Sequence, residues 1–151
     1  MKRLVLKFGG SSVGSIKKIK KVANIIKKNC IVIWGNEQEK ERAEWMVSES
    51  NYVQIMPKLS LDDLKHIIIH ASLLIGNDTG PSHMAWALNI PSNILFGPTP
   101  VERAFQTPTN KVLSSNSKIN HYKLDKNDFS IKEIKVNDIV KIAKELLGVS
   151  L

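Results

Sequence analysis

The feature that most constrains the fold is an alternation of short apolar runs with longer stretches of helical periodicity. Strands are predicted where apolar residues run together, at residues 4–6, 31–34, 52–56, 72–75 and 93–96. Helices are predicted between and after them, at residues 15–28, 38–48, 61–71, 81–88 and 136–147. Strands separated by helices form βαβ units, which place strands parallel and helices on both faces of the sheet. We therefore predict an α/β fold, a single Rossmann-like domain over residues 1–151.

Local signals support two of the helix starts, whereas one long segment lacks any pattern. Ser60 and Asp63 have the spacing of a capping box, in which Ser60 accepts a hydrogen bond from the Asp63 amide. Pro81 suits the first turn of a helix, where its missing N–H costs nothing.

Residues 99–130 are polar and carry no clear periodicity, so we predict irregular structure there.

The positive charge is concentrated at the start of the chain. The formal net charge is +8, and residues 1–36 contain nine Lys or Arg and no acid. A cationic face favours phosphates, nucleic acid or an acidic membrane surface, although a solvated lysine-rich helix explains it equally well. The few aromatic residues do not interleave with the lysines, so we predict no nucleic-acid partner. No apolar run approaches the roughly 18 residues of a membrane-spanning helix.

Residue types that often carry chemistry are sparse. Cys30 is the only cysteine, which excludes an intramolecular disulfide and suits a reducing compartment. We interpret it as a small buried residue at the start of a strand. His66 and His70 lie one helical turn apart, but no third ligand accompanies them, so no metal site is predicted. We assign no catalytic residue.

The loop over residues 76–83 is the most informative candidate site, because open parallel sheets bind ligands beyond the carboxyl ends of their strands. Gly80 should let the chain turn and leave room for a phosphate against the backbone. The amides that open the next helix favour an anion. Asp78 could accept hydrogen bonds from sugar hydroxyls, and His83 could donate to a phosphate or hydroxyl. The alternative is a capped helix with a hydrogen-bonded histidine.

Two other strand ends are weaker candidates. The loop at residues 9–12, with Ser11 and Ser12, clusters amides and hydroxyls before a lysine-rich helix. It lacks the full GxxxxGK[ST] and GxGxxG patterns, so a plain strand-to-helix turn remains an alternative. Glu37 follows the second strand, where an acid can accept from ribose hydroxyls. Its alternative is an ordinary acid in the first turn of a helix.

Four segments stand in a distinctive order: WGNEQEKERA at 34–43, LSLDDL at 59–64, IGNDTGPSHMAWAL at 75–88 and FGPT at 96–99. Together with Pro91 they resemble the C-terminal, donor-binding domain of lipopolysaccharide heptosyltransferases. The resemblance covers about residues 28–147 and is nearest to the enzymes that add the first heptose to the Kdo of the inner core. The combination is far more specific than any single segment.

This resemblance implies one half of a two-domain GT-B fold, an ADP-heptose donor, an inverting transfer, and no metal or other cofactor. Residues 78–80 would meet the diphosphate and heptose with His83 close by, Glu37 would hold the ribose, and residues 56–59 would line the adenine pocket. The phosphate-contacting loop would correspond to Ser11 or Ser12 with Lys17 or Lys18. The implied ligand-binding residues are Ser11, Ser12, Lys17, Glu37, Leu59, Asp78, Thr79, Gly80 and His83.

The resemblance also sets expectations for partners. The family's N-terminal domain, which binds the acceptor and supplies the catalytic acidic base, has no counterpart in the sequence. We therefore expect binding of ADP-heptose or ADP without catalysis by the chain alone. The Kdo–lipid A acceptor would bind only if an acceptor domain were supplied, and an exposed interdomain face could promote self-association. The implied location is the cytoplasm of a Gram-negative bacterium, with peripheral attachment to the inner membrane as an open alternative.

A second, shorter resemblance concerns the first strand and the helix that follows it. The segment KFGGSSVGS at residues 7–15, continuing to residues 22–24, resembles the start of an aspartokinase, in which Lys7 and the glycines would face ATP phosphates. Residues 1–27 could then be of foreign origin, which would make the chain a chimera or a redesigned scaffold without activity. A kinase-like phosphate binder and a basic nucleic-acid binder are the remaining alternatives.

Overall fold

Strands and helices alternate along the chain. The computed structural model describes residues 4–7, 13–118, 120, 122 and 128–149, with the backbone alone at residues 13–16 and 19. The strands are β1 (Leu4–Lys7), β2 (Cys30–Ile33), β3 (Val53–Ile55), β4 (Leu73–Asn77), β5 (Ser92–Phe96) and β6 (Asn110–Ser114). The α-helices are α1 (Val13–Ile26), α2 (Glu37–Ser48), α3 (Leu61–Ile69), α4 (Gly80–Ala87) and α5 (Val136–Leu147). Two 3₁₀ helices are Val101–Arg103 and Ser130–Glu133.

The strands form one sheet in the order β3-β2-β1-β4-β5-β6, and every pair is parallel. The predicted parallel sheet is thereby confirmed, and its order is that of a Rossmann domain. The chain runs outward from β1 through β2 to β3, crosses back to β4, and runs outward again to β6. The direction of winding therefore reverses between β1 and β4, where Lys7 is the register partner of Gly76.

Helices cover both faces, as predicted, because side chains alternate between the faces of each strand. Leu4 and Leu6 of β1 point into a core that they share with α1, α2 and α5, whereas Val5 points into a core shared with α3 and α4. All four residues of β1 are buried. Such burial on both faces is what produces the continuous apolar runs of a parallel sheet.

The prediction of irregular structure over residues 99–130 is wrong in part. Residues 101–103 form a 3₁₀ helix, and β6 pairs in parallel with β5 along its whole length. β6 is an edge strand in which only Asn110 is buried, so it needs no continuous apolar run. Its pattern of two apolar residues among polar ones is therefore too weak to reveal a strand.

The predicted helix starts are confirmed. Ser60 Oγ accepts from the Asp63 amide at 3.1 Å, and the Asp63 carboxylate completes the capping box. Pro81 occupies the first turn of α4. Within the described part of the chain, no helix is both long and apolar enough to cross a membrane.

Cys30 begins β2 and is 1% exposed, which confirms its predicted place in the core. Burial raises the pKa of its thiol to about 12, so at pH 8 the thiol is both protonated and covered. Because thiolate is the reactive form, we expect Ellman's reagent to leave the native chain unlabelled at pH 8. The same chain unfolded in urea should release one equivalent, since it contains one cysteine. Rapid labelling of the native chain would contradict this burial.

Candidate functional site

The candidate site lies at the carboxyl ends of β1 and β4, where the two halves of the sheet wind apart. The connection after β1 leads to α1 on one face, and the connection after β4 leads to α4 on the other. In Rossmann-like domains, nucleotides bind in the crevice that forms at such a point of divergence, beyond the carboxyl ends of the strands. The residues that follow β4 are Asp78, Thr79 and Gly80, and β1 ends at Lys7.

Asp78 and His83 form a close pair at this edge. The two side chains meet at 2.6 Å between His83 Nε2 and Asp78 Oδ1. The Asp78 side chain is 7% exposed and that of His83 is 33% exposed. Since a carboxylate only accepts, the imidazole N–H donates in this contact. The hydrogen-bonded histidine foreseen as an alternative is thus present, and the pair still presents the imidazole to solvent.

Close packing holds α4 against the end of β4. Ser82 Oγ donates to the Asn77 carbonyl at 2.6 Å inside the protein. A Cβ atom on Gly76 would lie 2.8 Å from that Ser82 oxygen and 2.9 Å from the Lys7 carbonyl oxygen. Only glycine allows β1, β4 and the first turn of α4 to approach this closely. The position of the Asp78–Gly80 loop follows from this contact.

Gly80 is exposed and differs from Gly76 in its surroundings. A Cβ atom added to Gly80 would meet no atom of the described residues within 4 Å. Its φ lies outside the left-handed region, so the expectation that Gly80 is needed for the turn is wrong. Other residues adopt this backbone equally well. The other part of the prediction concerned room beside the main chain at Gly80, and the structure does have open space there.

The amides that open α4 are partly engaged. Those of Ser82 and His83 both donate to the Thr79 carbonyl, at 3.0 and 3.2 Å. Thr79 is the N-cap residue but makes no side-chain cap hydrogen bond. The positive end of the helix therefore points past Thr79 and Gly80 into the crevice.

A buried ion pair that sequence reasoning missed lies beside this loop. Lys7 Nζ is 2.6 Å from Glu39 Oε2, and the same oxygen accepts from the Gly35 amide at 2.7 Å. Both side chains are more than nine-tenths buried. The Asn36 side chain caps α2 by accepting from the Glu39 amide. An Asn followed three residues later by a Glu is typical of a capped helix start, and this pattern was the sequence signal that could have drawn attention to Glu39 as an inward-facing acid. The pair joins the ends of β1 and β2.

The residues expected to hold the ribose and adenine follow β2 and β3. Glu37 is the first residue of α2, its side chain is 77% exposed, and Lys40 lies 3.8 Å away. The Trp34 ring donates to the Met56 carbonyl at 2.7 Å and so joins the two loops. Leu59 is partly buried against the core on the α3 face. The structure thus places these residues at neighbouring strand ends.

The expected phosphate loop is described only in part. Ser11 and Ser12 lie outside the described residues, and Lys17 is exposed on α1. Lys18 donates to the backbone carbonyls of Lys132 and Ile134 and thereby ties α1 to the chain before α5. Desolvation lowers the pKa of Lys18, and the Glu133 carboxylate partly opposes that shift. Lys17 is therefore the better placed of the two lysines for a ligand.

Arg103 reaches the site from the 3₁₀ helix after β5. Its Nη1 atom lies 3.4 Å from Asp78 Oδ2, and 59% of its side chain is exposed. Sequence reasoning missed this residue because it lies inside the segment that was predicted to be irregular. Asp78 is thus flanked by an imidazole on one oxygen and a guanidinium on the other.

His66 and His70 line a separate groove of about 540 Å³ on the α3 face, with Gln54, Met56 and Ile67 among its other residues. Their rings lie 4.5 Å apart, and His70 Nδ1 is 2.8 Å from the His66 carbonyl oxygen. No cluster of three or more His, Cys, Asp or Glu among the described residues could hold a metal ion. Among the described residues that line the groove there is no Asp, Glu, Lys or Arg, and Asp78 is not one of them.

The sheet order and the parallel pairing define a Rossmann-like domain. Residues 16–134 match the model of glycosyltransferase family 9 (heptosyltransferase). Lipopolysaccharide heptosyltransferase 1 of Campylobacter coli is 45% identical over 122 residues, which are 76% of this chain and 35% of that protein. The enzyme of the same name from Escherichia coli K12 is 36% identical over 66 residues. The chain belongs to glycosyltransferase family 9 and spans about a third of the Campylobacter relative.

Solved structures agree with this assignment at the level of the fold. An Escherichia coli heptosyltransferase with ADP-2-deoxy-2-fluoro heptose superposes with a TM-score of 0.75 at 19% identity, over 95% of this chain and 43% of that one. A family 9 glycosyltransferase of Veillonella parvula gives a TM-score of 0.74 over 97% of this chain and 46% of its own length. The fold is therefore that of one half of a GT-B heptosyltransferase.

The interpretation of residues 1–27 as a borrowed unit is not supported. The family model begins at residue 16, inside that segment, and the structural match covers nearly the whole chain. Lys7, which the aspartokinase resemblance would turn towards ATP, is paired with Glu39. The first unit thus makes a contact specific to this fold.

The Lys7–Glu39 pair should matter more to stability than an exposed pair. We expect Glu39→Gln to lower the free energy of unfolding by about 3 kcal/mol or more, because it leaves a buried lysine without its carboxylate. Glu49→Gln is the matched control, since Glu49 pairs with Lys20 at 3.0 Å with its side chain 46% exposed. That change should cost less than about 1 kcal/mol. Urea unfolding measures both, and equal losses would contradict the role given to burial.

Proposed function

We propose that the chain binds the sugar-nucleotide donor of a heptosyltransferase, ADP-heptose, for transfer in the synthesis of the lipopolysaccharide inner core. Membership of glycosyltransferase family 9 supports the class of reaction. The likeness to an Escherichia coli structure titled with an ADP-heptose analogue supports the class of ligand. Binding without catalysis by this chain is part of the proposal, since no residue in it is assigned as the base that activates an acceptor hydroxyl.

The observation that carries the proposal is the open space in front of Gly80, the first residue of α4, which stands two residues after Asp78 in the chain. Gly76 and Gly97 are explained by protein packing, because a Cβ on either would lie under 3 Å from another residue. Gly80 has no such explanation among the described residues. A phosphate against the main chain accounts for a glycine there, and the positive end of the α4 dipole favours it.

Each side chain then has a role that suits its chemistry. Asp78 accepts from hydroxyls of the heptose, and His83 and the backbone at Thr79 and Gly80 face the diphosphate. Glu37, whose side chain is 77% exposed, accepts from the ribose. Leu59 offers apolar contact to the adenine. We also assign Ser11, Ser12 and Lys17, which follow β1 in the sequence, to contacts with the diphosphate.

Titration calorimetry with ADP-heptose, ADP and ATP tests the proposal directly. We expect ADP-heptose and ADP to bind, and Asp78→Asn to weaken ADP-heptose about 10- to 100-fold, because a hydrogen bond to a charged group is lost. Glu145→Gln is the control, since Glu145 lies in the last turn of α5 and pairs with Lys111 at 3.3 Å. It should bind as the parent does. A cooperatively folded chain that binds none of the three nucleotides would refute the proposal.

The two glycines of the loop should separate stability from binding. Gly76→Ala should lower the free energy of unfolding by about 1–3 kcal/mol, because its Cβ has no room. Gly80→Ala should leave stability within about 0.5 kcal/mol and still weaken ADP binding, because its methyl group occupies the space assigned to a phosphate. Urea unfolding and calorimetry measure the two effects. Unchanged ADP affinity in Gly80→Ala would place the phosphate elsewhere.

A further inference from the structure

We propose that Arg103 is a ligand-binding residue that holds Asp78 with one edge of its guanidinium and the diphosphate of the sugar nucleotide with the other. The inference rests on the proposed function, since it assigns a further residue to that same site. The geometry around Asp78 and the exposure of Arg103 support this role.

The roles proposed for Asp78 and for the start of α4 are in electrostatic conflict. Asp78 lies directly before the helix end that is to receive a phosphate, and two negative groups in contact repel each other. His83 engages Oδ1 of Asp78, but Oδ2 is buried and accepts no hydrogen bond from the described residues. Arg103 Nη1 lies 3.4 Å from that oxygen, within ion-pair distance but without hydrogen-bond geometry. A guanidinium there offsets the carboxylate charge and lets an anion approach.

The chemistry of arginine fits a bridging role. The guanidinium stays charged at all accessible pH values and presents five N–H donors in a planar fork. One nitrogen faces Asp78, and 59% of the side chain remains exposed. The remaining donors are therefore available to the oxygens of a diphosphate, which such a fork can bind in bidentate fashion.

The backbone beneath Arg103 is anchored, which makes its position reproducible. The Ala104 amide donates to the Val101 carbonyl at 3.0 Å, and Ala104 is 8% exposed in a cluster with Phe96. A Cβ on Gly97, at the start of the same loop, would lie 2.7 Å from Ile131 Cβ, so the loop packs tightly at its base. Arg103 thus extends from a fixed support and loses less conformational freedom on binding.

The other cations near the edge are less suited to this task. Lys7 is buried and directed to Glu39 at 2.6 Å. Lys17 is exposed on α1, the helix that follows β1, whereas Arg103 follows β5. Arg103 therefore supplies positive charge on the β5 side, where Asp78 would otherwise leave the edge negative.

The test compares ADP with adenosine, which shares the base and ribose but carries no phosphate. Affinities are measured for the full chain and for Arg103→Gln, by calorimetry for ADP and by ligand-observed NMR for adenosine. We expect Arg103→Gln to weaken ADP about 10- to 100-fold, as for the loss of a charge-assisted hydrogen bond, and to leave adenosine within about twofold. Arg103→Lys, which keeps the charge but not the fork, should fall between these values.

Lys111→Gln is the matched control, because it removes one positive charge from β6 near its amino end, where Lys111 pairs with Glu145. It should bind both ligands as the parent does. Equal ADP affinity in the parent and Arg103→Gln would overturn the inference and leave the proposed function standing. Equal weakening of ADP and adenosine would make Arg103 a structural residue and would also overturn it. A folded parent chain that binds neither ligand would overturn the inference and the proposed function together.

Discussion

The burial of both faces of the central strands is the constraint on which the rest of the structure depends. β1 and β4 are covered by helices on either side, so their side chains must be apolar for most of their length. Polar chemistry is thereby confined to the ends of the strands. Of the two ends, the carboxyl end gains the crevice and the positive ends of the following helices, and Gly76 lets α4 approach closely there.

The charged groups at this edge form two clusters, the Lys7–Glu39 pair and Asp78 with His83 and Arg103, and the two clusters differ in what they do. Lys7 and Glu39 are both buried, so their mutual attraction is largely offset by the cost of removing them from water. Compared with two apolar residues, such a pair adds little net stability, but removing one partner alone is costly, so each group fixes where the other must lie. Asp78 is equally buried, yet its partners His83 and Arg103 remain partly exposed. The Lys7–Glu39 pair is therefore suited to hold the ends of β1 and β2 together. Asp78, with His83 and Arg103, is suited to respond to a ligand.

The parts of this structure that could be predicted from sequence are those that leave a periodic pattern. Five strands and five helices were recognisable because buried faces impose apolar runs and helical spacing. β6 was not, because an edge strand needs few apolar residues and its five residues include only two. The loop after β4 was recognised from its residue types, but the pairings of Glu39 with Lys7 and of Arg103 with Asp78 join segments far apart in sequence. Local spacing does not reveal such contacts.

The two resemblances of the sequence illustrate the same difference between local and long-range information. The glycine- and serine-rich segment after Lys7 resembles an aspartokinase over a few residues, whereas the family 9 match extends over residues 16–134. A strand that ends in a cation and a loop of small residues is a general solution for approaching an anion, so unrelated families can share it. Register pairing of β1 with both β2 and β4, by contrast, requires that its residues fit two neighbours at once. The agreement of β1 with those neighbours is therefore stronger evidence about its place in the fold than the short motif that follows it.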